Sequence, residues 1–147
     1  MLPPSAQQSE AMRRHERRLE ALKEETLDRL PCVFAEAFAK ACHGEPGLDA
    51  QGVAELWREE RVIGVSTKSG LVFPVFQVDP RSGRLHAVLP RVLGYFDEEE
   101  KDSGWPPYLW FTSPRPGIDD RIPAQCLEGA PELVLQAMRF EQSARRG

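Results

Sequence analysis

Cysteine and histidine offer this chain its nearest approach to a nucleophile and a base. Cys42 and His43 are adjacent, but successive side chains on a helix do not face one another, so they do not form a dyad. His15 and His86 stand alone. Cys126, between Ile122 and Leu127, reads as a small buried apolar residue. The three cysteines, Cys32, Cys42 and Cys126, lack zinc-ligand spacing, and no glycine-rich phosphate loop follows a strand. The acidic run Asp97–Asp102 has neither ordered ligand spacing nor a turn-forming glycine, so it reads as a solvated loop rather than a cation site. The residues therefore predict no enzyme, no metal and no cofactor.

What remains is charge set out for recognition. Arg115, Asp119, Asp120 and Arg121 lie on a proline-stiffened loop, and Arg139, Arg145 and Arg146 follow on the C-terminal helix and tail. Rigid charged loops suit specific protein contacts, so these seven residues form the candidate partner-binding set. The plainer alternative is that Asp119 and Asp120 cap the next helix and Arg121 is a solvated charge. A second basic set, Arg58, Arg61 and Lys68, is placed for phosphate contacts, although Glu55, Glu59 and Glu60 share its helix and would repel them.

The elements that must carry these groups are mostly short helices. The chain has 147 residues, 41% hydrophobic and 29% charged, with a net charge of −4. That describes an ordinary globular domain without a global basic field. An odd cysteine count argues for a reducing compartment, and no segment reads as a signal peptide or membrane span, so a cytoplasmic location is expected. Residues 1–9 read as a disordered lead. A helix is expected over Glu10–Leu30, with Met12, His15, Leu19, Leu22, Thr26 and Leu30 in one narrow stripe. It either packs on its own domain or forms a homodimer seam.

Further along, a helix is expected over Pro31–His43 and another over Ala50–Glu60 with Asp49 as its N-cap. A hairpin follows, Val62–Val65 and Leu71–Phe73 joined through Ser66–Gly70. Together these suggest a helix-turn-helix and wing, or a structural helix pair with a hairpin that touches no nucleic acid. In the run Leu71–Asp79, Pro74 confines the strand to a sheet edge or ends it there. Phe73 and Phe76 should tie the two halves together, and a buried Gln77 should hydrogen-bond backbone. Leu85–Phe96 reads as a short apolar helix interrupted near Pro90. Trp105–Phe111, Ile122–Leu127 and a helix opened by Pro131 follow, the last turning Leu133, Val134, Ala137, Met138 and Phe140 inward. The fold class is mainly α, a small helical domain with one β-hairpin. Its expected division is a lead over 1–9, an N-terminal unit over 10–70 and a C-terminal domain over 71–147.

One ordered set of residues in the C-terminal half carries a resemblance. Phe73-Pro74-x-Phe76-Gln77-x-Asp79 is followed by Gly83-x-Leu85, then Trp105 and Trp110, then Ser113-Pro114. Arg121-x-Pro123-x-x-x-Leu127-x-Gly129 and Glu132-x-Val134 with Ala137 complete it. This order resembles the toxin-binding domain of the MbcA/ParS/Xre antitoxin family, over about Leu71–Phe140. Asp119-Asp120 stands where members often carry a Gly-Gly-like loop, and the usual N-terminal helix-turn-helix is faint. The resemblance implies an antitoxin that binds a cognate toxin, commonly a RES-type, NAD-consuming one, and covers its active site with the C-terminal helix and preceding loop. It also implies a toxin–antitoxin hetero-oligomer and, for some members, binding to own-promoter DNA. An adaptor that keeps the domain without a toxin is the remaining alternative.

Overall fold

Pro74 decides how the sheet ends. The computed structural model describes residues 10–18 and 30–146, and the chain divides into two units, Met1–Pro31 and Cys32–Gly147. In the first unit, residues 10–18 form helix α1, exposed throughout, with Met12 64% accessible. Of the expected stripe, Leu19, Leu22 and Thr26 lie outside the described residues.

The second unit is mainly helical around a three-stranded antiparallel sheet, β1 (Cys32–Val33), β2 (Val65–Thr67) and β3 (Gly70–Pro74), in the order β1-β3-β2. β3 is central and stops at Pro74, the second of the two outcomes its proline allowed. Pro74 is also the last paired residue, opposite Cys32, and the chain then winds into a 3-10 turn, Val75–Gln77. The boundary expected between residues 70 and 71 thus falls within a strand paired on both sides.

β1 corrects the expected helix over Pro31–His43. Cys32 and Val33 are extended and pair with Pro74 and Phe73, so helix α2 begins only at Ala35 and ends at Ala41. Pairing to a distant strand here overrides local helix propensity. Phe34 and Ala37, expected inside, are exposed, and Phe38, fully buried, carries the contact to the core. Helix α3 (Ala50–Arg58) starts as expected, the Asp49 carboxylate accepting from the Gly52 amide at 2.8 Å.

Two aromatic groups meet around the 3-10 turn. On one side Phe38 packs on Phe73, ring centroids 5.4 Å apart, in a cluster with Val53, Val62 and Val78. On the other, Phe76 lies 5.5 Å from Phe111 and 6.3 Å from Tyr108. Gln77 sits between them with no exposed surface. Its Oε1 accepts from the Ile63 amide at 2.6 Å, and its Nε2 donates to the carbonyls of Ile63 (3.0 Å) and Pro74 (3.1 Å). One side chain thereby replaces a missing rung of sheet for Ile63, whose own backbone lies outside β2.

Beyond the turn, Leu85 is not helical but bridges to Val78, and helix α4 is Leu89–Leu93 with Pro90 in its first turn. The proline starts this helix instead of interrupting it, because a first-turn residue needs no amide donor. The acidic run is also a correction. It forms helix α5 (Glu98–Ser103), closed by a reciprocal cap in which the Asp97 carboxylate accepts from Glu100 N and Glu100 accepts from Asp97 N. Gly104 then turns left-handed at φ 76°, where a Cβ would lie 1.9 Å from the Gly64 carbonyl. Helix α6 (Trp105–Thr112) buries Tyr108, Trp110 and Phe111 and leaves Leu109 exposed. Helix α7 (Pro123–Cys126) and helix α8 (Pro131–Arg146) complete the fold. α8 buries Leu135 with Val134, Ala137 and Met138, while Phe140 is 51% exposed, contrary to its expected inward position. Among the described residues no helix is long and apolar enough to cross a membrane.

Candidate partner-binding surface

The loop between α6 and α7 is fixed from within and from below. Inside it, Arg115 N donates to Arg121 O (3.0 Å), Asp120 N to Arg115 O (3.0 Å) and Arg121 N to Ile118 O (3.1 Å). Ile118, in a 3-10 turn over Pro116–Ile118, is 4% exposed and anchors the loop in the core. Below it, Gln136 of α8 donates through Nε2 to the Gly117 carbonyl at 3.1 Å. Gly117 lies so close to α8 that a Cβ there would stand 2.8 Å from that of Phe140.

Asp119 and Asp120 form the apex, with φ of 55° and 60°. Two successive left-handed residues that are not glycine cost on the order of 1 kcal/mol each, and such strain gathers at recognition sites. Neither carboxylate caps α7, whose N-cap is Ile122 without a side-chain bond. The capping alternative is thereby corrected: the aspartates are exposed groups held by a backbone turn.

Arg115 is engaged within the fold, facing α8. Its Nε lies 2.9 Å from Glu141 Oε1 of α8, with the side chains 26% and 18% exposed. The N–H is not aimed along that vector, so the contact is an ion pair rather than an aligned hydrogen bond. The guanidinium lies 5.9 Å from the centroid of the Trp110 ring, and Trp110 Nε1 donates to the other Glu141 oxygen at 2.5 Å. Arg115, Trp110 and Glu141 staple the loop to α6 and α8. Glu141 falls seven residues after Val134, on the buried face of the helix. An acid there is the sequence signal that would have disclosed the staple.

The remaining members divide by position. Arg121 is exposed at the foot of the loop, next to the two aspartates. Arg139 is exposed on α8 beside Gln136 and Phe140, which share one side of the helix at i, i+3 and i+4. Arg145 is exposed near the helix end, and the side chain of Arg146 lies outside what is described. Phe140, expected in the core, is instead an exposed apolar group next to the loop.

Arg58, Arg61 and Lys68 are exposed, but their surroundings are acidic. Arg61 lies 3.8 Å from Glu59, and Arg58 lines a shallow cleft with Glu60 and Asp102. Lys101 is drawn to Glu60 at 2.6 Å, and α5, four of whose six residues are carboxylates, packs along β2. Trp105 Nε1 donates to the Ser66 carbonyl at 3.0 Å, so the hairpin is covered on this edge and is not a free wing.

Of the chemically active side chains, Cys42 is 1% exposed with its thiol pushed up to about 11 by burial and by the Glu45 charge. His43, its neighbour, faces solvent. Burial likewise raises Cys32 to about 11, and it lowers His86 against the opposing pull of Asp79 and Glu128. Among the described residues no group of three or more histidine, cysteine or acidic side chains converges as a metal site. No family model, curated protein or solved structure matches the chain.

Proposed function

We propose that this protein is an antitoxin-like neutraliser that binds a cognate toxin and covers its active site. The observation that carries the reading is the apex at Asp119 and Asp120. Two strained carboxylates are held out to solvent on a loop clamped to α8 beside the exposed Phe140. The ordered motif set over Leu71–Phe140 supports the same assignment. In this reading Arg115 positions the loop, while Asp119, Asp120, Arg121, Arg139 and Phe140 make the contact. Arg145 and Arg146 extend it along α8. Own-promoter DNA is the weaker second partner, because the carboxylates around Arg58, Arg61 and Lys68 oppose phosphate.

The test is co-expression with the toxin encoded beside the chain's own gene. Growth should be restored and the two proteins should co-purify. A toxin that stays active and unbound in the presence of folded chain removes the reading.

A further inference from the structure

Helix α1 carries its charge in an order that works against an isolated helix. Over residues 10–18, Arg13, Arg14, Arg17 and Arg18 stand against Glu10 and Glu16, a net charge of +2. Like charges lie four apart at Arg13 and Arg17 and again at Arg14 and Arg18, and Arg13 sits in the first turn, where the helix dipole disfavours a cation. The ion pair from Arg14 to Glu10, at 3.9 Å, is largely exposed and offsets little. The sequence that follows reverses the sign: residues 19–30 hold four carboxylates, one lysine and one arginine, a net charge of −2. No glycine or proline interrupts residues 10–30, so nothing there prompts the second stretch to turn back on the first.

The apolar stripe has a matching symmetry. About the midpoint between Glu20 and Ala21, Leu19 exchanges with Leu22 and His15 with Thr26. Met12 and His15 stand exposed on α1, and residues 19–29 enter by sequence register alone. With Met12 as position a of a heptad, the flanking e positions include Glu16 and Lys23, and the g positions include Arg18 and Glu25. A parallel pair of helices would set Arg18 of one copy against Lys23 of the other, two cations. An antiparallel pair sets g against g and e against e: Arg18 meets Glu25, and Glu16 meets Lys23, both of opposite sign.

We infer that α1 receives residues 19–30 of a second copy, as an antiparallel helix pair seamed by Met12, Leu19 and Leu22. The basic half of each copy then lies along the acidic half of the other, and the two helix dipoles oppose. Three heptads make a short seam, so the dimer is reversible and weakens with salt. This inference stands apart from the antitoxin reading, which concerns the loop and α8.

Sedimentation equilibrium of the full chain over a concentration series tests it. The parent should dimerise, less tightly as salt is raised. Arg18→Glu sets like charges at two equivalent contacts and should raise the dimer dissociation constant about fivefold or more, as should Glu25→Arg. The double variant, with the signs exchanged, should return to the parent value, and Leu19→Asp should leave a monomer. All three tryptophans lie in the second unit, so an unchanged urea midpoint of their fluorescence verifies that each variant keeps its fold. A parent that stays monomeric overturns the proposal. So does a dimer that Arg18→Glu leaves unchanged, which puts the seam elsewhere, or one that it tightens, the result a parallel pair requires.

Discussion

Gln77→Leu isolates the joint of the fold. The substitution keeps a side chain of similar size but removes the acceptor for Ile63 N–H and the donor for Ile63 C=O, in a site with no exposed surface. Each buried backbone group left without a partner costs about 1–3 kcal/mol, so the Ile63 pair alone puts the loss at roughly 2–6 kcal/mol. Against a domain stability of about 5–15 kcal/mol, that is a large fraction. With a urea slope of about 1–3 kcal/mol per molar, the midpoint should fall by roughly 1–3 M, read by tryptophan fluorescence. Gln77→Glu sharpens the point. Its Oε would still accept from Ile63 N–H, but an ionised carboxylate would face the carbonyls of Ile63 and Pro74. Its folded pKa should be raised, so the variant should be least destabilised at acid pH and lose stability as pH rises through that value. A Gln77→Leu loss below about 1 kcal/mol would mean the two Ile63 groups find other partners, and the reasoning would fail.

Three further outcomes are expected. Phe76→Ala should cost about 3 kcal/mol, the low end for a core phenylalanine because Phe76 keeps some exposure, and slow-exchange protection should fall in α6, which carries its ring partners, by hydrogen exchange. Arg115→Ala should cost about 1–2 kcal/mol, less than a fully buried pair, and should expose the bonds of residues 113–121 to limited proteolysis. His86 has its folded pKa depressed by burial, so the unfolded chain takes up its proton first. Stability should therefore decline as pH falls below about 6.5, and His86→Gln should flatten that slope in urea titrations over the same range.

How much of this was legible can be judged residue by residue. Pro74, Gln77 and Asp49 announced themselves, because each imposes a local hydrogen-bonding condition: a missing donor, a buried amide and a cap. The Asp97-x-x-Glu100 cap was equally local, and the density of negative charge hid it. β1 could not be read, since two residues become a strand only by pairing with Phe73 and Pro74, some forty residues away. The candidate site was legible as a stiff charged loop but not as a mechanism. Left-handed backbone at Asp119 and Asp120 leaves no mark beyond the residue type, and the Arg115–Glu141 staple joins groups on separate elements. Arg115 therefore looked like its neighbours in sequence, although it alone of the loop's charged residues pairs with Glu141 of α8.

The central claim is that Asp119 and Asp120 exist for recognition and not for the fold. Replacing both with glycine relieves the left-handed strain and adds unfolded-chain entropy, two effects that nearly cancel and leave stability within about 0.5 kcal/mol. Calorimetric titration of this double variant with the toxin that the proposed function assigns as its partner is the most direct test. The account predicts an unchanged urea midpoint with toxin affinity reduced about tenfold or more. Full affinity in the folded double variant would contradict it.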